Sequence, residues 1–178
     1  MECLTKMDGI FADMLEEFMG SALVTWVLTF DGVIDGEGPI SAQYLEVNSS
    51  TQNSQKQYLE LTNGIFLNEV MRVIDPNPKV ERIYWEESND EVLRVQNFSV
   101  LNRHLRSYYQ ENLQQLILVP LPNVAVLGRD PLTEAAVEEL RNLLLLLLGC
   151  AVQVSLYFIH TLDCRARQHG ECVPQQDS

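Results

Sequence analysis

The amino-acid sequence predicts an all-α domain. Apolar residues recur at spacings of three and four in most segments, which is the pattern of a helix with one buried face. Proline pairs and glycine-rich stretches separate these segments, and no segment shows the sustained alternation of a half-buried strand. The 178 residues are enough for one domain with its own hydrophobic core.

The composition narrows the classes of partner. The formal net charge is −13, whereas nucleic acids and anionic membrane surfaces are bound by basic surfaces, so neither is an expected partner. The four cysteines form no CxxC pair, and Met1–Met7 contains no apolar signal segment. A reducing, cytoplasmic location is therefore expected.

The N-terminal part predicts two short helices and then a polar stretch. Apolar residues at helical spacing run from Phe11 to Phe18 and from Leu23 to Phe30, and Ser21 is a predicted N-cap between them. Residues 46–57, EVNSSTQNSQKQ, contain few apolar side chains and are expected to form a mobile surface insert.

The middle of the chain predicts two further helical segments. Apolar residues from Leu59 to Ile74 fall on one helical face, which Asp75-Pro76-Asn77-Pro78 ends because proline cannot continue a helix. A long amphipathic helix, or two helices with a bend, is predicted from a capping box at Ser88 and Glu91 through Leu116 to Pro120.

The last predicted helix begins after the N-cap Thr133 and contains six consecutive leucines, Leu143–Leu148. Leucine at every position is not a heptad, and a helix that is apolar all round is expected to be buried on all sides. This block is therefore predicted to be the centre of the core. The predicted core residues are Trp26, Phe66, Leu67, Leu105, Leu116, Leu144, Leu147 and Leu148.

No catalytic constellation and no cofactor-binding motif is found, so an enzyme is not expected. His104 is predicted to be a surface or half-buried histidine without a chemical role. Cys164, His169 and Cys172 are three potential soft ligands, but structural zinc takes four, so no metal is expected.

Arginines on the long predicted helix form a candidate surface for an acidic partner. Arg94, Arg103 and Arg106 lie on this helix, and Arg72, Lys79 and Arg82 are near in sequence. The simpler interpretation is scattered, solubilising charge.

Six segments resemble a known family when they are taken together and in order. The segments are LVTWVLTF (23–30), LTNGIFLNEVMRVIDPNP (61–78), LRVQNFSVL (93–101), YYQENLQQLILVPLPNV (108–124), GRDPLTEAAVEEL (128–140) and LLLLLLGCAVQ (143–153). They resemble the N-terminal Hook domain of the girdin/Daple family of coiled-coil proteins. The resemblance places a Hook-type domain at residues 9–153.

The resemblance implies a divergent calponin-homology-like helical fold and a cytoplasmic adaptor role. Members of the family engage the dynein light intermediate chain and link the motor to cargo through a following coiled coil. Microtubule association, microtubule organisation and a centrosomal location are also implied. The residues without the resemblance predict a helical interaction domain.

Residues 154–178 depart from the family pattern. They are expected to form an unrelated, partly disordered tail. The chain would then be a truncated or alternatively spliced product, or the product of a gene model that reads into an intron, without the final family helix and the coiled coil through which the family dimerises. Binding to the dynein light intermediate chain is therefore expected to be weakened. The alternative is a tail-anchored membrane protein, because Leu143–Leu162 has the length of a membrane span, although Gln153, Ser155 and His160 interrupt it.

Overall fold

A computed structural model describes the backbone of residues 2–34, 51–75, 82–84 and 90–169, and the side chains of residues 9–31, 33–34, 54–75, 82–84 and 90–153. The helices are α1 (Glu2–Met19), α2 (Ala22–Leu28), α3 (Thr51–Leu61), α4 (Ile65–Ile74), α5 (Glu91–Ser107), α6 (Val124–Arg129) and α7 (Glu134–His169). A 3₁₀ turn, Thr29–Gly32, follows α2, and a π turn, Tyr108–Asn112, follows α5. No strand occurs in these ranges, and the all-α prediction is confirmed.

Two N-terminal helices form where the sequence predicts them, although α1 is longer than predicted and begins at Glu2. Ser21 lies between α1 and α2, and its hydroxyl accepts a hydrogen bond from the backbone N–H of Val24 at 3.4 Å. Leu15 and Phe18 of α1 and Val24 and Val27 of α2 are buried. The predicted N-cap at Ser21 is therefore confirmed.

Helix α3 begins inside the stretch that was expected to be a mobile insert. Residues 51–57 are helical, which the sequence did not predict, whereas residues 46–50 lie outside the described part. The reason lies at the end of the helix, where Tyr58 and Leu61 are completely buried. The Tyr58 hydroxyl also donates to the carbonyl of Pro131 at 2.7 Å, so a distant contact orders a segment with little helical signal of its own.

The helix predicted from Leu59 to Ile74 is interrupted. Gly64 has a φ of 75°, which is the left-handed conformation that glycine adopts without a steric penalty, and it separates α3 from α4. Leu59 then lies on α3 with 40% of its surface exposed. The end at Asp75 is as predicted, and residues 76–81 lie outside the described part.

Both ends of α5 differ from the sequence prediction. Asp90 is the N-cap and its carboxylate accepts from the N–H of Val92 at 2.8 Å, so the capping box at Ser88, itself outside the described residues, is wrong. At the other end, Gln114 has a left-handed φ of 54° and stops the helical chain well before Pro120. Leu116 consequently lies beyond the helix and is 77% exposed, so its prediction as a core residue is wrong.

Helix α7 packs against α1, α2, α4 and α6. Its N-cap is Thr133, as predicted, because the Thr133 hydroxyl accepts from the N–H of Ala136 at 3.2 Å. In the leucine block, four side chains are buried, Leu148 is half-buried and Leu145 is 52% exposed. The prediction that the block is covered on all sides is therefore wrong, because successive helical residues point about 100° apart and the packed helices leave the direction of Leu145 open.

Most of the other predicted core positions are in the interior. Phe66, Leu67, Leu105, Leu144 and Leu147 are buried, and Trp26 is half-buried with its ring edge-on to Phe30 at 5.4 Å between centroids.

Helix α7 continues as backbone through the predicted tail to His169, and residues 170–178 lie outside the described part. Among the residues that the structure describes, no helix is long and apolar enough to cross a bilayer. The side chains of 154–162, the second half of the alternative span, lie outside the described ones.

The thiol of Cys150 is sealed inside the core, and we expect it to resist alkylation. Burial raises the pKa of this thiol to about 12, against a smaller lowering by the hydrogen bond with Tyr109. Because the thiolate is the nucleophile, iodoacetamide at about pH 8 should modify Cys150 only when the protein is unfolded in urea. Mass spectrometry of the Cys150 peptide measures this, and equal labelling of folded and unfolded protein would contradict it.

The raised pKa of the Cys150 thiol also determines how the stability of the protein depends on pH. The pKa of this thiol in the folded protein is raised above the ordinary value of 9.0, so the unfolded chain loses the proton first as the pH rises. The contribution of Cys150 to stability is therefore complete below about pH 9 and falls as the pH approaches 12.

Candidate interaction surfaces

Residues 113–121 form an exposed apolar segment, which we call the apolar loop. Leu116, Leu118 and Val119 are 77%, 92% and 56% exposed. Half-buried Leu113, Ile117 and Leu121 pack against the core and hold the loop in place. An exposed apolar segment of this kind is typical of a protein-binding surface, because water contact with these side chains is unfavourable.

Hydrogen bonds at both ends attach the apolar loop to α7. The Tyr109 hydroxyl donates to the carbonyl of Leu146 at 3.1 Å, and the N–H of Asn123 donates to the Glu139 carboxylate at 3.0 Å. Leu146 and Glu139 are about 10 Å apart along the helix axis, because each residue adds about 1.5 Å. The chain between Tyr109 and Asn123 is far longer than this distance requires, so it does not run straight along α7.

Helix α7 contributes a second exposed apolar stripe. Leu145 is 52% and Val152 is 47% exposed, and these residues lie seven positions apart, on one face of the helix. Half-buried Leu148 and Gly149 lie between them on the same side. Neither surface was predicted from the sequence, because every leucine of the block and Leu116 were expected to be interior.

The structure does not bring the three predicted arginines together. Arg94 is half-buried, and its Nε donates to the carbonyl of Gly128 at 2.8 Å, so this arginine joins α5 to α6. Arg103 and Arg106 are both exposed near the end of α5. Of the arginines that lie near in sequence, Arg72 pairs with Glu69 at 2.8 Å.

Arg103 instead lines an open groove of about 480 Å³, which we call the basic groove. The groove is lined by Arg82, Tyr84, Gln96, Ser99, Val100 and Arg103. The guanidinium of Arg82 lies over the ring of Tyr84, 5.3 Å from its centroid. Arg106 is not among the lining residues, and Lys79 lies outside the described part.

The segment that carries Arg82 and Tyr84 is held by a buried amide. The Asn97 side chain accepts from the N–H of Tyr84 at 2.9 Å and donates to the Tyr84 carbonyl at 3.1 Å. The same amide nitrogen donates to the carbonyl of Asn63 at 3.1 Å, and the backbone carbonyl of Asn97 accepts from Asn68 at 3.0 Å. Asn97 therefore connects α5, the turn before α4 and one wall of the groove.

His104 makes a structural contact. Its Nε2 lies 2.9 Å from the Asp75 carboxylate, and the two side chains are only 13% and 10% exposed, so the pair links the end of α4 to α5. Burial, followed by the charges of Cys150 and Asp75, raises the pKa of neighbouring Tyr108. In the part of the chain with described side chains, no three His, Cys, Asp or Glu residues are grouped as a metal site would need. Cys164, His169 and Cys172 lie outside those side chains.

Comparison with known proteins decides the family. Residues 41–157 match the family model of the HOOK domain. The chain belongs to the Hook-domain family. The matched Hook domain begins after α2 and contains α3 to α6 and most of α7.

Several known proteins are similar in sequence to this chain. Human Daple is 46% identical over 147 residues, which are 83% of this chain and 7% of Daple. Mouse girdin is 43% identical over 144 residues, 81% of this chain and 7% of girdin, and human coiled-coil domain-containing protein 88B is 36% identical over 149 residues, 83% of this chain and 10% of that protein. The chain thus spans about a tenth or less of the length of these relatives, and the resemblance to the girdin/Daple family is confirmed. No solved structure matches the chain.

Proposed function

We propose that this Hook domain is a non-enzymatic adaptor domain that binds protein partners in cytoskeletal transport. The observation that carries the proposal is the exposure of apolar side chains in the apolar loop, together with that of Leu145 and Val152 on α7. The contact of these exposed apolar side chains with water is unfavourable, and an apolar partner would remove them from water.

The partner that we propose is the dynein light intermediate chain, as the family resemblance implies. An amphipathic helix from this partner would place its apolar face against Leu116 and Leu118 of the apolar loop and keep its polar face in solvent. Microtubule association, microtubule organisation, a centrosomal location and the calponin-homology-like arrangement of the helices are further parts of this proposal. They are supported by the family and by the all-α fold.

The substitution Leu118→Asp tests the proposal with little risk to the fold. Leu118 is 92% exposed, so an aspartate there remains hydrated in the free protein and becomes desolvated only when an apolar partner binds. We expect binding of the purified dynein light intermediate chain to weaken about tenfold or more, measured by a quantitative pull-down with the full chain.

The matched control is Ile10→Asp, which makes the same chemical change at a 62% exposed residue of α1. This control should bind as tightly as the unmodified chain. Equal losses in the two variants, or no binding by the unmodified chain, would remove the basis for assigning the apolar loop to this partner.

A further inference from the structure

Tyr109 attaches the beginning of the apolar loop to one face of α7. Its hydroxyl donates to the carbonyl of Leu146 at 3.1 Å, and the thiol of Cys150 forms a hydrogen bond with the same hydroxyl. Leu146, Gly149 and Cys150 are three and four residues apart, so they lie on one face of the helix. The end of the Tyr109 side chain lies against this face.

The contact requires a residue without a side chain at position 149. A β-carbon on Gly149 would overlap the Tyr109 hydroxyl oxygen, whereas it would lie 3.6 Å from the ring carbon Cζ that carries this hydroxyl, which is an ordinary van der Waals distance. The steric conflict is therefore confined to the hydroxyl. Glycine is less favourable than alanine in a helix interior, and what it permits here is the close approach of Tyr109.

The backbone of Tyr109 connects this contact to the apolar loop. The N–H of Gln115 donates to the carbonyl of Tyr109 at 2.8 Å, and Gln114 before it has the left-handed φ of 54°. Leu116, the first of the exposed apolar residues, follows directly. The direction in which the chain enters the exposed part of the loop is therefore set from Tyr109.

The middle of the apolar loop adds no hydrogen bond of its own. In the part of the chain that the structure describes, no backbone group of residues 116–119 is paired with another protein group. The half-buried side chain of Ile117 packs against the core. The position of this stretch therefore depends on Ile117 and on the attachments at the two ends of the loop, and Tyr109 provides the first of these.

We propose that Tyr109 is a positioning residue for partner binding: through its close contact with Gly149, it holds the apolar loop in the arrangement that a partner binds. Tyr109 is half-buried and its hydroxyl is engaged on α7, so it acts through the loop. The inference rests on the proposed function for the identity of the partner. The attachment of the loop by Tyr109 can be tested without any partner.

Hydrogen–deuterium exchange of the full chain tests the attachment, with mass spectrometry of the peptide that contains the Leu113 and Gln115 amides. Gly149→Ala is expected to displace the Tyr109 hydroxyl and to raise the exchange rate of these amides about tenfold. In the same variant, binding of the purified dynein light intermediate chain should weaken about tenfold or more.

Gly9→Ala is the matched control. It makes the same chemical change on α1, where a β-carbon would meet nothing within 4 Å. This variant should change neither the exchange of the two amides nor the binding of the partner. Leu118→Asp should weaken binding without changing the exchange, because Leu118 does not take part in the attachment.

Tyr109→Phe provides the second part of the test. It removes the hydroxyl, so Gly149→Ala no longer causes a steric conflict in this background, and the double variant should exchange no faster than Tyr109→Phe alone. A general destabilisation by the added methyl group would instead raise the exchange rate by the same factor in both backgrounds. That result, or unchanged exchange in Gly149→Ala, overturns the proposal.

The positioning role and the proposed function fail in different ways. If the unmodified chain does not bind the light intermediate chain, the proposed function is contradicted, and the exchange of the two amides still decides whether Tyr109 holds the loop. If Gly149→Ala exchanges faster but binds as tightly as the unmodified chain, Tyr109 does not position the loop for this partner and the inference is overturned. Leu118→Asp then still tests the proposed function.

Discussion

Replacing Leu147 by alanine is expected to lower the free energy of unfolding by about 3 kcal/mol and the melting temperature by roughly 10 °C. Leu147 is completely buried on α7, where the surrounding helices are held by their own contacts and cannot fully close the space that the lost atoms leave. The loss therefore combines the transfer of the side chain with the cost of a cavity. Urea denaturation followed by far-UV circular dichroism measures it.

The leucine block provides its own control. Leu145 lies in the same helix two residues earlier and is 52% exposed, so Leu145→Ala should change the free energy of unfolding by less than about 0.5 kcal/mol. A similar large loss in both variants would mean that α7 is covered on the side of Leu145 as well. That result would contradict the exposed stripe on which part of the proposed partner surface depends.

Replacing Asn97 by alanine is expected to destabilise the protein by about 3 kcal/mol. The side chain is in a residue only 2% exposed, and its removal leaves the carbonyl of Asn63 and both backbone groups of Tyr84 without their present partners. Unpaired buried polar groups cost more than the hydrogen bond itself contributes, so the effect exceeds that of an exposed amide. Thermal denaturation and urea denaturation measure the loss.

Gln96→Ala is the matched control, because Gln96 is the preceding residue and is an exposed amide. We expect a change of less than about 0.5 kcal/mol for this variant. If the two variants lose the same stability, Asn97 does not connect the helices in the way its hydrogen bonds indicate.

The helical periodicity of the sequence was sufficient to predict the fold class. Each helix buries one face, so its apolar residues recur at spacings of three and four. The N-caps Ser21 and Thr133 were predictable for a related reason, since a capping side chain acts within its own turn. Breaks that depend on one backbone angle were not predictable. Gly64 precedes α4 and Gln114 follows the π turn, both with positive φ values, and the apolar pattern of the sequence continues across both residues.

The candidate surfaces required the three-dimensional structure. Arg103 was recognised as a possible contact for an acidic partner, but Arg82 lines the same groove only in the folded chain, where Asn97 on α5 holds the backbone of neighbouring Tyr84. The apolar loop was hidden for a different reason. The residue type alone does not show whether a leucine is exposed or buried, because burial depends on how many neighbours the fold places around the side chain.

The burial of Asn97 also has a consequence for N-linked glycosylation. Asn97-Phe98-Ser99 is an acceptor sequence for an N-linked glycan. The glycan would be attached to the same amide nitrogen that donates to the carbonyls of Asn63 and Tyr84, in a place with no room for a sugar. Glycosylation of Asn97 and this fold are therefore mutually exclusive.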